Sequence, residues 1–272
     1  MLSWFRIRLV LCFALLLSFP YLRPLLAQNP EQLEVGPPPL HRAEPPASGS
    51  SPEKLEARGD SLREDKDFLD AVDYYQAAIR LSPGNAPLHN KIGICQLMMQ
   101  RYKDAKKSFE RAIRLDRKYA DAYNNLGVIY YQARNYNTAI GNYKKAIALK
   151  TDAPSYYSNL GAAYFGKKDF EKAVPNYAKA IELDPQIFER TSRSGVMAQL
   201  PSPEDRARYD YVLARLYAST GQAEQSLHYL KKAMEDGYKN IRNAYTDNEF
   251  AALRKDPRFT ELMESKTMAI PD

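Results

Sequence analysis

Three histidines, one cysteine in the body of the chain and 33 carboxylates are the groups through which this 272-residue sequence could do chemistry. His41, His89 and His228 lie far apart and match no zinc-ligand spacing. Cys95 would become a nucleophile only if a base or cation beside it lowered its pKa. It has no sequence-local His, Asp or basic cluster, and it falls in an amphipathic helical pattern, so it reads as a small buried hydrophobe. Cys12 sits in the apolar N-terminal stretch, which leaves the mature chain one thiol and no intrachain disulfide. No Gly-rich phosphate loop and no nucleophile elbow occurs. Acidic residues alternate with Lys and Arg along helix faces, the pattern of solubility and i,i+4 pairing. These residues call for no catalytic group, no cofactor and no metal, and the chain reads as a non-enzyme.

The elements that would position such groups begin with a leader. Arg6 and Arg8 precede an apolar run from Leu9 to Phe19, and Pro20 and Pro24 precede a cut expected after Ala27, so residues 1–27 read as a secretory signal peptide. The run is too short to span a bilayer, which needs about 20 apolar residues; an uncleaved membrane anchor is the alternative. Formal net charge is +6, with 39 Lys and Arg. Removing the leader leaves 36 basic residues against 33 acidic, too even a balance to call for nucleic acid. The Lys pairs at 106–107, 144–145, 167–168 and 231–232 read as solvated faces. Residues 28–51 are Pro-rich and read as a disordered tether.

From residue 52 onward a repeat governs the chain. Gly59, Gly93, Gly127 and Gly161 recur every 34 residues, as do Ala71, Ala105, Ala139 and Ala173, and Ala78, Ala112, Ala146 and Ala180. Two aromatic columns keep the interval: Phe68, Tyr102, Tyr136, Phe170, and Tyr75, Phe109, Tyr143, Tyr177. The register runs unbroken through units 52–85, 86–119, 120–153 and 154–187. Two antiparallel helices per unit satisfy the pattern, with small residues where helix axes approach and large ones filling the gaps. One pair cannot bury its own apolar stripe, so stacked pairs share a continuous core. A Tyr excess (20 Tyr against 10 Phe and 1 Trp) suits such half-wet helices.

Tyr123-x-x-Leu126-Gly127-x-x-Tyr130 with Ala139 and Tyr143, and Tyr157-x-x-Leu160-Gly161-x-x-Tyr164 with Ala173, Tyr177 and Pro185, resemble the tetratricopeptide repeat. The resemblance implies an all-α, right-handed α-solenoid of helix pairs. A fifth, degenerate unit is expected at 207–240 on Leu213, Ala214, Tyr217, Gly221 and Ala233, after an insert at 188–206. From 241 to 272 come capping helices and a tail: one short helix around Phe250 and Leu253, and a second around Phe259, Leu262 and Met263, started by Asp256 as cap and Pro257. The segment from Ala233 to Phe259 resembles the end-of-group element of many bacterial tetratricopeptide arrays.

The same resemblance implies a concave groove lined by the first helix of each pair, which meets peptide segments. Its rows would be Asn90, Asn124 and Ser158; Ile94, Val128 and Ala162; and Leu97, Tyr131 and Phe165. The Asn row would hydrogen-bond a peptide backbone and the apolar rows would take side chains, with Asn124 and Tyr131 dispensable for folding. Glu53, Glu56 and Asp60 stand where the family's carboxylate clamp places cations, which disfavours an acidic chain terminus as ligand. The function expected is an exported scaffold, periplasmic or secreted, for a protein or peptide partner. A homo-oligomeric assembly module of the envelope, membrane-anchored by its leader, is the alternative.

Overall fold

Thirteen- and fourteen-residue helices alternate through the first four units. The pairs are α1 (Pro52–Glu64) with α2 (Phe68–Leu81), α3 (Ala86–Met98) with α4 (Tyr102–Leu115), α5 (Ala120–Gln132) with α6 (Tyr136–Leu149), and α7 (Pro154–Gly166) with α8 (Phe170–Leu183). A fifth pair, α9 (Pro203–Ser219) and α10 (Ala223–Glu235), follows. The computed structural model describes residues 44–188 and 203–265, all within one compact unit and with no strand among the described residues. The expected leader, residues 28–43 of the tether, most of the insert and the tail from 266 lie outside the described residues.

Local chemistry sets the helix ends. Ser51, Asn85 and Asn135 accept hydrogen bonds from the N–H groups of Lys54, Leu88 and Thr138, capping α1, α3 and α6. Each first helix of the four regular units ends on a left-handed residue that turns the chain into its second helix: Lys66 (φ 69°), Gln100 (φ 59°), Arg134 (φ 55°) and Lys168 (φ 63°). The next amide then bonds back into the finished helix, as Arg101 N–H does to Gln96 O at 2.7 Å and Asn135 N–H to Tyr130 O at 2.8 Å.

The repeating columns meet where the spacing requires. The second aromatic column packs against the glycine column, Tyr75 on Gly59, Phe109 on Gly93, Tyr143 on Gly127 and Tyr177 on Gly161. Both alanine columns are fully buried. In the fifth pair Ser226 replaces the first alanine and satisfies its buried hydroxyl on Ala214 O at 2.8 Å. Across the stack α3 touches α5 and α5 touches α7, so the first helices form the inner layer, while each second helix packs on its own first helix and the next one.

Two expectations about the C-terminal region change. α9 starts at Pro203, inside the stretch read as an insert, so this first helix is longer than the others at 17 residues. The helix expected around Phe250 and Leu253 is instead three 3-10 turns, Ile241–Tyr245, Asn248–Phe250 and Leu253–Lys255. The apolar residues Ala244, Phe250 and Leu253 are nevertheless buried, so the segment packs without a regular α-helix. The following helix, α11 (Pro257–Glu264), does begin as expected, with the Asp256 side chain accepting from Arg258 N–H.

Candidate functional site

The inner layer changes character along the array. At its N-terminal end it is charged: Lys91 Nζ bridges Glu56 and Asp60 at 2.6 and 2.7 Å, joining the first two units. The Tyr75 hydroxyl donates to Asp60 Oδ1 at 2.8 Å and accepts from Arg63 Nε at 3.2 Å. Burial, then Asp60, holds that phenol well above the ordinary tyrosine range. Cys95 is fully buried nearby, and burial pushes its thiol up to about 12, so it stays protonated. This charged cluster was missed in the sequence, where Glu56 and Asp60 read only as replacements for clamp cations. The signal available was a tyrosine at 75 where the next unit has Phe109.

Towards the middle the inner layer becomes a ladder of amides. Asn125 Nδ2 donates to Asn90 Oδ1 at 3.0 Å, Asn124 Nδ2 to Asn125 Oδ1 at 3.2 Å, and Asn159 Nδ2 to Asn124 Oδ1 at 3.0 Å. Asn90 also donates to the Tyr119 hydroxyl at 3.4 Å, and Ser158 to Ser155 O at 3.1 Å. The ladder crosses two junctions between units. Tyr156 and Asp121 form a further hydrogen bond across one of them.

The nine expected groove residues all lie on first helices, but eight of them, every one except half-buried Ile94, are buried. The reading of Asn90, Asn124 and Ser158 as free hydrogen-bonding groups is corrected: the two asparagines spend their amides on the ladder, and Ser158 bonds within its own helix. Val128 and Ala162 are packed into the shared core. The third row, expected to face a ligand, is packed instead, because its rings meet the first aromatic column. Tyr131 lies 5.4 Å from Tyr136, and Phe165 lies 5.0 Å from Phe170, centroid to centroid. Leu97 is buried in the same core. Asn124, 1% exposed, and Tyr131, 3% exposed, are therefore parts of the fold.

Three groups in units three and four do not close. The hydroxyls of Tyr131, Tyr143 and Tyr177 are buried with no hydrogen-bond partner among the described residues. Tyr143 and Tyr177 occupy the position of Tyr75, whose hydroxyl has Asp60 and Arg63; their own units offer Val128 and Tyr131, or Ala162 and Phe165, at the matching places. Burial raises both phenols well above the usual value, with a further push from Tyr131. Tyr209 of α9 stands against the same cluster, 5.2 Å from Tyr177 and 5.9 Å from Phe165. No group of three or more potential metal ligands exists among the described residues.

Residues 154–187 match the family model described as the tetratricopeptide repeat, and residues 99–133 and 129–168 match a second model, described as the TPR repeat. Residues 99–187 carry tetratricopeptide repeats. Similar solved structures include a crystal structure of MamA, 26% identical over 68% of this chain and 96% of that one, with a TM-score of 0.45. MamA 41-end from Desulfovibrio magneticus RS-1 is 16% identical, covers 74% of this chain and 100% of that one, and has a TM-score of 0.48. YrrB, titled a TPR protein with an unusual peptide-binding site, is 19% identical over 74% of this chain and 90% of that one, with a TM-score of 0.44. No curated protein matches the chain. The tetratricopeptide models indicate no enzymatic family.

Proposed function

We propose that this protein is an exported scaffold that holds a segment of a protein partner along the inner layer of units three and four. The observation that carries the reading is the trio of buried hydroxyls on Tyr131, Tyr143 and Tyr177, unpartnered among the described residues. A buried donor without an acceptor costs about 1–3 kcal/mol, and native folds rarely retain one without a reason. Phenylalanine would pack in the same place, as Phe109 does in the second unit, without that cost. A bound segment presenting main-chain carbonyls would supply the missing acceptors. Partner binding would then displace or loosen the side chains that cover the trio, among them Tyr209.

The double variant Tyr143→Phe/Tyr177→Phe separates the two roles. Its melting temperature should equal or exceed that of the parent, while co-purification of the partner from the native envelope fraction falls at least tenfold. Undiminished capture would remove the hydroxyls from the binding site. A lower melting temperature would mean that they already have partners within the fold.

A further inference from the structure

The second unit breaks the charge balance of the array. Residues 86–119 hold nine Lys and Arg against three Asp and Glu, whereas residues 52–85 hold five against eight and 154–187 hold four against four. The excess concentrates on one helix. Lys103, Lys107, Arg111 and Arg114 follow each other at one-turn intervals along the exposed face of α4, over about 16 Å of helix. No ion pair among the described residues neutralises any of the four. Like charges at i,i+4 destabilise a helix by about 0.2–0.5 kcal/mol per pair, so Lys103–Lys107 and Lys107–Arg111 add nothing to the stability of α4.

The repeat supplies its own control. The same backbone positions are filled at Lys103 by Leu69, Asn137 and Glu171, and at Lys107 by Asp73, Gly141 and Pro175, so folding of a unit does not require cations there. Several exposed lysines on the later second helices are engaged: Lys145 lies 4.6 Å from the Tyr123 ring centre, Lys172 2.7 Å from Asp169 and Lys179 2.7 Å from Glu182. The α4 row has no such engagement. At its start two apolar side chains stand in solvent, Met98 at 50% and Tyr102 at 41% exposure, beside exposed Arg101.

We infer that the outer face of α4 is a docking surface for an anionic lipid bilayer. The four side chains are exposed along one face of the helix, so the row presents a line of cations rather than a single point of charge. Its long side chains are not preorganised by neighbours for bidentate recognition, which suits a diffuse field of phosphates. An exposed Tyr and Met next to cations form the amphipathic edge that a headgroup region accepts. Each Lys or Arg held near an anionic membrane adds binding comparable to a severalfold gain in affinity.

The test is flotation of the full chain with phosphatidylglycerol-containing vesicles and with pure phosphatidylcholine vesicles. The expected result is preferential binding to the anionic vesicles that weakens from about 0.1 M to about 1 M salt, as the Debye length shrinks from about 10 to about 3 Å. The variant Lys103→Gln/Lys107→Gln/Arg111→Gln, with an unchanged circular-dichroism melt, should lose about a hundredfold of the anion-dependent binding. The leader, with Arg6, Arg8 and Arg23, is present in every variant, so its contribution is common to all of them. Lys144→Gln/Lys145→Gln on α6 should leave the preference intact. Equal loss in both variants would reduce the effect to net charge and overturn the assignment. So would binding indifferent to lipid charge, or binding of duplex DNA or polyglutamate without binding of vesicles.

Discussion

Gly127 lies under the ring of Tyr143, so close that a Cβ added to it would stand 2.5 Å from the Tyr143 Cε1. The ring is fully buried and has nowhere to withdraw, so Gly127→Ala should lose roughly 1–3 kcal/mol. Neighbouring units share this core, and the loss should lower the denaturant midpoint of the whole array. Gly141, in the interior of α6, meets nothing within 4 Å of an added Cβ. Gly141→Ala should therefore do the opposite and gain about 1 kcal/mol from helix propensity. Paired urea titrations decide it: shifts of the same sign would contradict the assigned crossing.

Arg134 holds a left-handed conformation at φ 55° in the turn between α5 and α6. The corresponding turn of the fifth pair uses Gly221 at φ 75°. A side chain with a Cβ costs about 1–2 kcal/mol in this region, and glycine avoids that cost while making the unfolded chain more flexible. Arg134→Gly should raise the thermal midpoint by a few degrees. Arg134→Val, branched at the strained atom, should lower it.

Asn124 both donates to Asn125 and accepts from Asn159, and is buried while doing so. Asn124→Ala strands polar groups on both sides, a loss of about 1–3 kcal/mol. Asn124→Asp keeps an acceptor for Asn159 but buries a charge and removes the donor, and should be worse at neutral pH. Chemical denaturation of the two variants measures the order; a silent Asn124→Ala would mean that the ladder does not stabilise the junctions.

The small-residue columns were legible because a 34-residue period repeats them four times and only helix pairs satisfy that period. The ladder was not, because Asn90, Asn124 and Asn125 carry no sign in sequence of whether an amide points at water or at the next unit. The answer lies in the packing of consecutive first helices. The same limit hid Tyr131: an aromatic at the end of a first helix looks like a pocket wall until the ring of Tyr136 is found against it. The 3-10 turns at 241–255 were hidden because Phe250 and Leu253 show that the segment buries apolar side chains, not which helical geometry carries them. The charged row on α4 was visible as residues, but its meaning depended on finding that all four side chains are exposed, while Lys145 and Lys179, at the place of Arg111 on α6 and α8, are engaged.

Asp210 is buried in α9, and burial pushes its carboxyl up to about 6, against the opposing pull of Lys232 and Arg206 and with a further push from Asp236. Lys232 Nζ is 3.7 Å away and half-exposed, too loose a partner to offset the desolvation. A carboxyl whose folded pKa lies above its unfolded value near about 3.9 binds its proton more tightly in the fold. Its favourable contribution is complete below about pH 4 and is lost as pH rises through about 6. An amide at this position cannot ionise, so Asp210→Asn should match the parent at pH 4 and exceed it at pH 7 by about 2–3 kcal/mol. Other titrating groups are common to both proteins and cancel in the difference between their melts. A difference that stays flat from pH 4 to pH 7 would show that Asp210 is ionised in the fold at no cost, with Lys232 closing on it more tightly than the 3.7 Å separation implies.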